Sequence, residues 1–152
     1  MKMSWKSQGR TITPGVYGVK VLEWEAGTSR NNNPTIAFTY EVVSPENHPD
    51  IGKPIWDIFT LTDKAAWRLA WFVSACGIKV ENLPEMETGS EEFRSVLNAC
   101  VDRVLYVSLV IDTFEGKERN KVTDYAKDEG QSPIENVDDV LDVPDFIKKK
   151  NK

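Results

Sequence analysis

The chain has 152 residues, of which 40% are hydrophobic and 28% are charged, the composition of an ordinary globular protein. This length predicts a single domain that buries roughly 70% of its unfolded surface and needs neither a disulfide nor a metal to fold. No apolar run approaches the roughly 20 residues of a membrane helix, and the N-terminus lacks the apolar core of a secretory signal. We therefore expect a cytoplasmic protein that does not contact a membrane.

The net charge of −5 is unevenly distributed along the chain. Seven acids and no base lie between residues 128 and 147, and five acids and no base lie between residues 81 and 92. Without these twelve acids the chain has 19 bases and 12 acids. The total charge argues against a polyanionic partner, but the mildly basic remainder keeps nucleic acid among the candidate ligands.

Few residues are suited to catalysis. The single histidine, His48, lies in a turn-like sequence, and we interpret it as a solvated loop residue. Cys76 and Cys100 are too few and too far apart for a metal-binding cluster. We interpret them as core residues in a reducing compartment, with one disulfide as the alternative. Phosphate-loop and hydrolase motifs are absent from the sequence, so we expect neither an enzyme nor a cofactor or metal site.

Three segments in the first half of the chain predict β-strands. Apolar residues alternate from Val16 to Glu25 and from Thr35 to Val42, and Pro54 to Leu61 is rich in β-branched and aromatic residues. Turn-forming residues separate the three segments. In the first strand, strict alternation places Trp24 on the face opposite Val21.

A change of period then predicts two helices and two further strands. The first helix follows a Thr-Asp N-cap and ends at Gly77, and a shorter one begins at Ser90. Strands are predicted from Arg103 to Phe114 and from Arg119 to Tyr125, joined by a hairpin turn. The pattern ends there, which predicts a flexible acidic tail with a basic end over residues 127–152.

The predicted order is three strands, then a helical segment, then two more strands. This is the connectivity of the OB-fold, a five-stranded antiparallel barrel. A small β-sandwich is the alternative, although it more often lacks the central helix. We therefore expect a mainly β OB-fold domain over residues 1–126, with a helical segment between strands three and four, followed by a disordered acidic C-terminal tail.

The OB-fold geometry predicts a binding surface on strands two and three, between the loop joining strands one and two and the loop joining strands four and five. Cations there suit phosphates and aromatic rings suit bases, as a single-stranded nucleic acid requires. Core packing of Trp24 and Trp56, and a merely solvated basic strand, are the alternatives. The candidate DNA-binding residues are Trp5, Lys6, Arg10, Lys20, Trp24, Arg30, Trp56, Phe114, Lys117, Arg119, Lys121 and Tyr125.

Three other features are each open to two interpretations. Trp67 and Trp71, one helical turn apart, either pack over the end of the domain or anchor a protein partner. Trp5 and its basic neighbours form either an unstructured arm or one that closes over a bound strand. The tail is either solvated, or a partner-binding peptide that also competes with DNA for the basic surface; its candidate residues are Asp142, Pro144, Asp145 and Phe146.

Four short motifs occur in a distinctive order: Pro14-Gly15-x-Tyr17, Asn33-Pro34, Gly52-Lys53, and Gly116-Lys117-x-x-Asn120-x-Val122. Over residues 14–125 the chain resembles a family of phage proteins from replication and recombination gene clusters, related to OB-fold single-stranded DNA-binding proteins. This resemblance implies sequence-independent binding of single-stranded DNA in the infected host cell, for presentation to a recombinase or polymerase. Independently of the resemblance, we expect a homo-oligomer or cooperative binding on DNA.

The tail is similar to the acidic tip of bacterial single-stranded DNA-binding proteins, which implies a phage or host replication or recombination protein as partner. It departs from that pattern by continuing past Phe146 into IKKKNK. Two other functions are weighed against DNA binding. One is a module that binds a replication or recombination protein without DNA, through Trp67 and Trp71; the other is a metal-dependent nuclease, for which the sequence offers no organised ligand set.

Overall fold

The computed structural model describes residues 11–141. Within them, five strands form one antiparallel sheet in the order β3-β2-β1-β4-β5. The strands are β1 (Gly15–Thr28), β2 (Pro34–Ser44), β3 (Pro54–Thr60), β4 (Val104–Phe114) and β5 (Lys117–Lys127), and the helices are α1 (Ala66–Ala75), α2 (Glu91–Cys100) and α3 (Val137–Leu141). The chain is therefore mainly β, with an open antiparallel sheet and few helices. No helix of this part of the chain is long and apolar enough to cross a membrane.

Three local sequence signals at the ends of these elements are confirmed, but the Thr62-Asp63 N-cap predicted for the first helix is wrong. The helix begins one turn later, at Ala66, after Ala65, which supplies no side-chain cap, and the Thr62 Oγ1 accepts the Ala65 N–H at 3.3 Å in the preceding turn. Ser90 caps α2, since its Oγ accepts a hydrogen bond from the Phe93 N–H at 3.2 Å. Gly77 follows α1 with a φ of +94°, the left-handed conformation in which helices commonly end. Glu115 and Gly116 both have positive φ, as a two-residue hairpin turn between right-twisted strands requires.

The core lies between the inner face of the sheet and the two longer helices. Phe38, Phe59 and Phe72 are almost fully buried, and the rings of Phe38 and Phe72 lie 4.5 Å apart between centroids. Cys76 and Cys100 are buried as free thiols, in agreement with their interpretation as core residues.

Bulges in β1 and β5 change which side chains face the core. Leu22 is an extra residue in β1 where it pairs with β2, and Thr123 is an extra residue in β5 where it pairs with β4. Because an extra residue reverses the alternation of faces, Trp24 and Tyr125 turn to the core side. The strict alternation predicted for Trp24 is therefore wrong, and the bulge in β5 likewise turns Tyr125 away from the face that carries Arg119 and Lys121.

The chain continues to pack against the domain after β5. The Ile134 N–H donates to the Gly77 carbonyl at 2.7 Å, Ile134 forms a parallel bridge with Ile78, and Val140 is 1% exposed. The prediction of an unstructured tail from residue 127 is therefore wrong as far as Leu141. Single apolar residues far apart in an acidic sequence show no period, although Val140 is buried in the core and Ile134 and Leu141 pack against it. Residues 142–152 lie outside the described part.

Candidate nucleic-acid interface

The β1–β2 loop and the β4–β5 turn meet at one end of the sheet. The Arg30 Nη2 lies 3.5 Å from Glu115 Oε1, and the Arg30 guanidinium lies 5.9 Å from the centroid of the Phe114 ring. Arg119, on β5, lies over the same ring at 4.6 Å. Phe114 is 45% exposed. Arg30, Phe114 and Arg119, which we call the Phe114 site, thus combine an accessible aromatic ring with two cations.

Both arginines of the Phe114 site have carboxylate partners that a ligand can replace. The Arg119 Nη2 is 3.9 Å from Asp112 Oδ2, and Arg30 faces Glu115. All four side chains are at least 42% exposed, and exposed ion pairs stabilise a fold by only about 0–1 kcal/mol. An incoming phosphate therefore competes with weak contacts.

Further cations extend from the Phe114 site along the hairpin. Lys117 pairs with Phe114 and Lys121 pairs with Val110 across the two strands. Side chains of directly paired residues share a face of the sheet, so both lysines lie on the outer face of β4–β5 together with Arg119. All three are exposed. The structure therefore places Lys117, Arg119 and Lys121 on one face of the hairpin, with Arg30 and Phe114 at its turn. The assignment of these residues to DNA binding stays a prediction.

Trp24 is not an accessible stacking residue. Its Nε1 donates to the Asn98 Oδ1 at 2.9 Å, and the Arg94 guanidinium lies 5.6 Å from its ring centroid. These contacts attach α2 to β1, so Trp24 has a packing role.

Tyr125 is also unavailable to a base, because it belongs to a buried polar cluster. Its hydroxyl donates to the Asp57 Oδ2 at 2.5 Å, and the Tyr40 hydroxyl donates to the same oxygen at 2.8 Å. The Arg68 Nη2 donates to the Asp57 Oδ1 at 2.7 Å. We call Tyr40, Asp57, Arg68 and Tyr125 the Asp57 cluster; Tyr125 is only 5% exposed.

The Asp57 cluster connects the two edge strands. Arg68, on α1, also donates to the carbonyls of Ile58 on β3 and Val122 on β5, at 3.0 and 3.3 Å. Burial and the adjacent Asp57 carboxylate raise the pKa of Tyr40 and Tyr125 well above the ordinary tyrosine value. Burial by itself lowers the pKa of Arg68, but the charge and hydrogen bond of Asp57, together with Tyr125 and Tyr40, outweigh it and raise the guanidinium pKa. The cluster therefore holds neutral tyrosines around a charged pair.

Trp56 and Lys20 lie away from the Phe114 site. Trp56 is 65% exposed on the outer face of β3, where it pairs with Thr39 on β2. Lys20 pairs with Val104 at the opposite end of β4, and its Nζ is 4.0 Å from Asp102. Neither residue has a described contact with Arg30, Phe114 or Arg119. Trp5, Lys6 and Arg10, and the tail residues Asp142, Pro144, Asp145 and Phe146, lie outside the described residues.

His48 is a packed residue, not the solvated one predicted. Its ring lies edge-on to Tyr17, with centroids 5.0 Å apart, and its Nδ1 accepts the Asp50 N–H at 3.0 Å. A hydrogen bond from the Lys53 ammonium, at 2.7 Å, lowers the pKa of Asp50. The sequence prediction missed this cluster because His48, Asp50 and Lys53 come from a loop without periodicity and Tyr17 comes from the distant strand β1.

The importance of Asp57 was also missed, although the sequence carries a signal for it. Asp57 occupies the core-facing register of β3, between Ile55 and Phe59. A carboxylate on the buried face of a strand requires a buried partner. Which cation supplies that partner depends on the packing of α1, and the sequence alone did not identify Arg68.

A protein-family model described as "Protein of unknown function (DUF669)" matches residues 3–133. The chain belongs to this family, since the match covers most of its length. No curated protein gives a match to the chain.

Proposed function

We propose that this protein binds single-stranded DNA without sequence preference, at the Phe114 site and the adjoining lysines. The observation that carries the proposal is the exposed Phe114 ring bordered by the guanidinium groups of Arg30 and Arg119. The resemblance to phage replication and recombination proteins supports a role in those processes, in the cytoplasm of an infected cell.

We further propose that the sheet is an OB-fold barrel. In the strand order β3-β2-β1-β4-β5 the outermost strands are β3 and β5, and the Asp57 cluster joins them. The approach of Arg30 to Glu115 brings together the two loops between which OB-folds bind ligands. Both observations support a barrel with its ligand site at this end.

The chemistry of the Phe114 site suits a single strand of any sequence. Stacking of one base on an aromatic side chain contributes about 1–3 kcal/mol and is available to every base. Arg30, Arg119, Lys117 and Lys121 supply charge for phosphates, and phosphate contacts carry no sequence information. Such binding weakens steeply with salt because counterions are released from the nucleic acid.

The test is a fluorescence-anisotropy titration of a labelled oligo-dT at low and moderate salt. We expect Arg30→Ala combined with Arg119→Ala to weaken binding and to reduce the salt slope by about 2, or about 1 per phosphate contact. Lys79→Ala is the matched control, since Lys79 is exposed and forms a similar ion pair with Glu135 at 3.4 Å. An oligo-dT that fails to bind at low salt would contradict the proposal.

A second candidate function is a protein-interaction module that does not bind DNA. Trp56, Ile58 and Trp67 are each at least 60% exposed, and Trp67 stacks on Trp71 with ring centroids 6.0 Å apart. Exposed aromatic and aliphatic side chains of this size commonly anchor protein partners. Capture of a replication or recombination protein that survives nuclease treatment and is lost in Trp67→Ala would favour this function.

A further inference from the structure

The outer surface of the sheet leads away from the Phe114 site in two directions, over β1–β2–β3 and over β4–β5, which we call the β1–β2–β3 face and the β4–β5 face. On the β1–β2–β3 face, one cross-strand row consists of Glu23, Thr39 and Trp56. The next row consists of Glu25, Ala37 and Ile58. Each row thus ends in an exposed apolar residue on β3 and an exposed carboxylate on β1, a combination that repels a polyanion.

The β4–β5 face has the opposite charge. Lys117, Arg119 and Lys121 occupy successive outward positions of β5, and exposed Val110 pairs with Lys121. The carboxylate of Asp112 on this face is paired with Arg119, and the exposed Asp124, which pairs with Ser108, lies farther along the face beyond Lys121. A strand leaving the Phe114 site therefore meets three successive cations along β5 before it passes Asp124, whereas each of the two rows on the β1–β2–β3 face ends in a carboxylate.

Farther along β4, Tyr106 presents a second aromatic ring on the same face. It is 37% exposed, and its cross-strand neighbours are both small, Gly18 on β1 and Ala126 on β5. The ring reaches across Gly18, because a Cβ added there would lie 3.3 Å from the Tyr106 Cε1. A ring lying over small neighbours leaves a flat surface on which a base can stack.

The separation of the two rings suits a single strand. Phe114 and Tyr106 are eight residues apart on β4, which corresponds to about 27 Å along a strand. Single OB-folds engage roughly 4–16 nucleotides. Val110 and Lys121 lie between the two rings and supply an apolar contact and a phosphate contact.

We infer that the bound strand follows β4 and β5, from Phe114 to a second stacking residue, Tyr106, and does not cross the β2–β3 face to Trp56. This inference rests on the proposed function, because it names the path of the ligand from the same site. This path places Tyr106 and Val110 in the DNA-binding surface and leaves Trp56 and Ile58 outside it.

The test compares Tyr106→Ala, Tyr106→Phe, Trp56→Ala and Phe114→Ala on a series of oligo-dT lengths. For oligonucleotides long enough to span both rings we expect Tyr106→Ala to weaken binding about tenfold, within the range for loss of one stacked base. The shortest oligonucleotide that binds should be unaffected by Tyr106→Ala and weakened by Phe114→Ala. Tyr106→Phe and Trp56→Ala should bind all lengths like the wild type, and circular dichroism melts check that each variant folds.

Each alternative outcome has a distinct meaning. If wild-type protein binds no oligonucleotide, the proposed function fails. A second outcome is that the wild-type protein binds DNA, but Trp56→Ala, and not Tyr106→Ala, abolishes the increase in affinity with oligonucleotide length. The strand then follows the β2–β3 face and the inference is overturned. If neither variant changes that increase, the inference is also overturned, because neither ring then forms a second stacking site.

Discussion

Arg68 and Arg119 have the same kinds of neighbour, an aromatic ring and a carboxylate, but they differ in burial. Arg68 lies 4.7 Å from the centroid of the Phe59 ring and 2.7 Å from Asp57, with 27% of its side chain exposed. Arg119 lies 4.6 Å from the centroid of the Phe114 ring and 3.9 Å from Asp112, with 58% of its side chain exposed.

The difference shows that burial, more than the identity of the neighbours, separates a structural arginine from one that can bind a ligand. In the Asp57 cluster both carboxylate oxygens accept hydrogen bonds, and the arginine donates to Asp57 and to the carbonyls of Ile58 and Val122, so partners from β2, β3, β5 and α1 meet there. At the Phe114 site the ion pairs face water, where the net energy of a pair is close to zero. Only the second arrangement can exchange its partner for a phosphate without loss of the fold.

The largest effect that tests this comparison is expected from Asp57→Asn. Removing the charge leaves Arg68 partly buried without its counterion, which typically costs about 3–5 kcal/mol of the free energy of unfolding. The matched variant Asp112→Asn removes the exposed partner of Arg119 and should change stability by no more than about 0.5 kcal/mol. Urea denaturation of both variants is the measurement, and equal losses would contradict the comparison.

A third arginine extends the comparison to the segment that follows β5. The Arg103 Nε donates to the Cys76 carbonyl at 2.8 Å, and its Nη2 donates to the Ser132 carbonyl at 2.5 Å. Gln131 pairs with both backbone groups of Val104, each at 2.8 Å. Arg103 and Arg68 both donate to backbone carbonyls, and Arg68 additionally has a buried carboxylate partner in Asp57.

Ending the chain at residue 127 should lower the free energy of unfolding by at least about 2 kcal/mol. It removes the burial of Val140, worth about 1.5–3 kcal/mol by itself, and the hydrogen bonds of Gln131 and Ser132. The control ends at residue 141, which keeps all of these contacts. Thermal and urea denaturation compare the two chains, and equal stability would show that the segment contributes nothing to the fold.

A smaller effect is expected from the tyrosines of the Asp57 cluster at alkaline pH. Their raised pKa values mean that the folded protein keeps protons which the unfolded chain releases above about pH 10. Stability is therefore fully present below that pH and falls as the pH rises above it.

Tyr125→Phe should cost about 1–3 kcal/mol at neutral pH, because the buried Asp57 loses one donor, and its stability should fall less steeply between about pH 10 and 11 than that of the wild type. Urea denaturation at neutral and alkaline pH measures both quantities. Parallel pH profiles for the two proteins would contradict a neutral Tyr125 in the fold.

The sequence by itself determined the order of the five strands and the two longer helices, the turn at Glu115–Gly116 and the caps at Gly77 and Ser90, but not the helix α3. These features depend on periodicity and on backbone conformations that only a few residues adopt readily. It also identified the cations and the aromatic ring of the Phe114 site, because Phe114 and Arg119 flank that turn.

Only the tertiary structure decided which residues turn inward and which distant residues meet. The bulges at Leu22 and Thr123 arise from strand pairing, and each moved an expected stacking residue, Trp24 or Tyr125, to the core side. The partner of Asp57 and the close approach of the Tyr106 ring to Gly18 likewise depend on neighbours far away in the chain. Register and packing are long-range properties, and local patterns do not contain them.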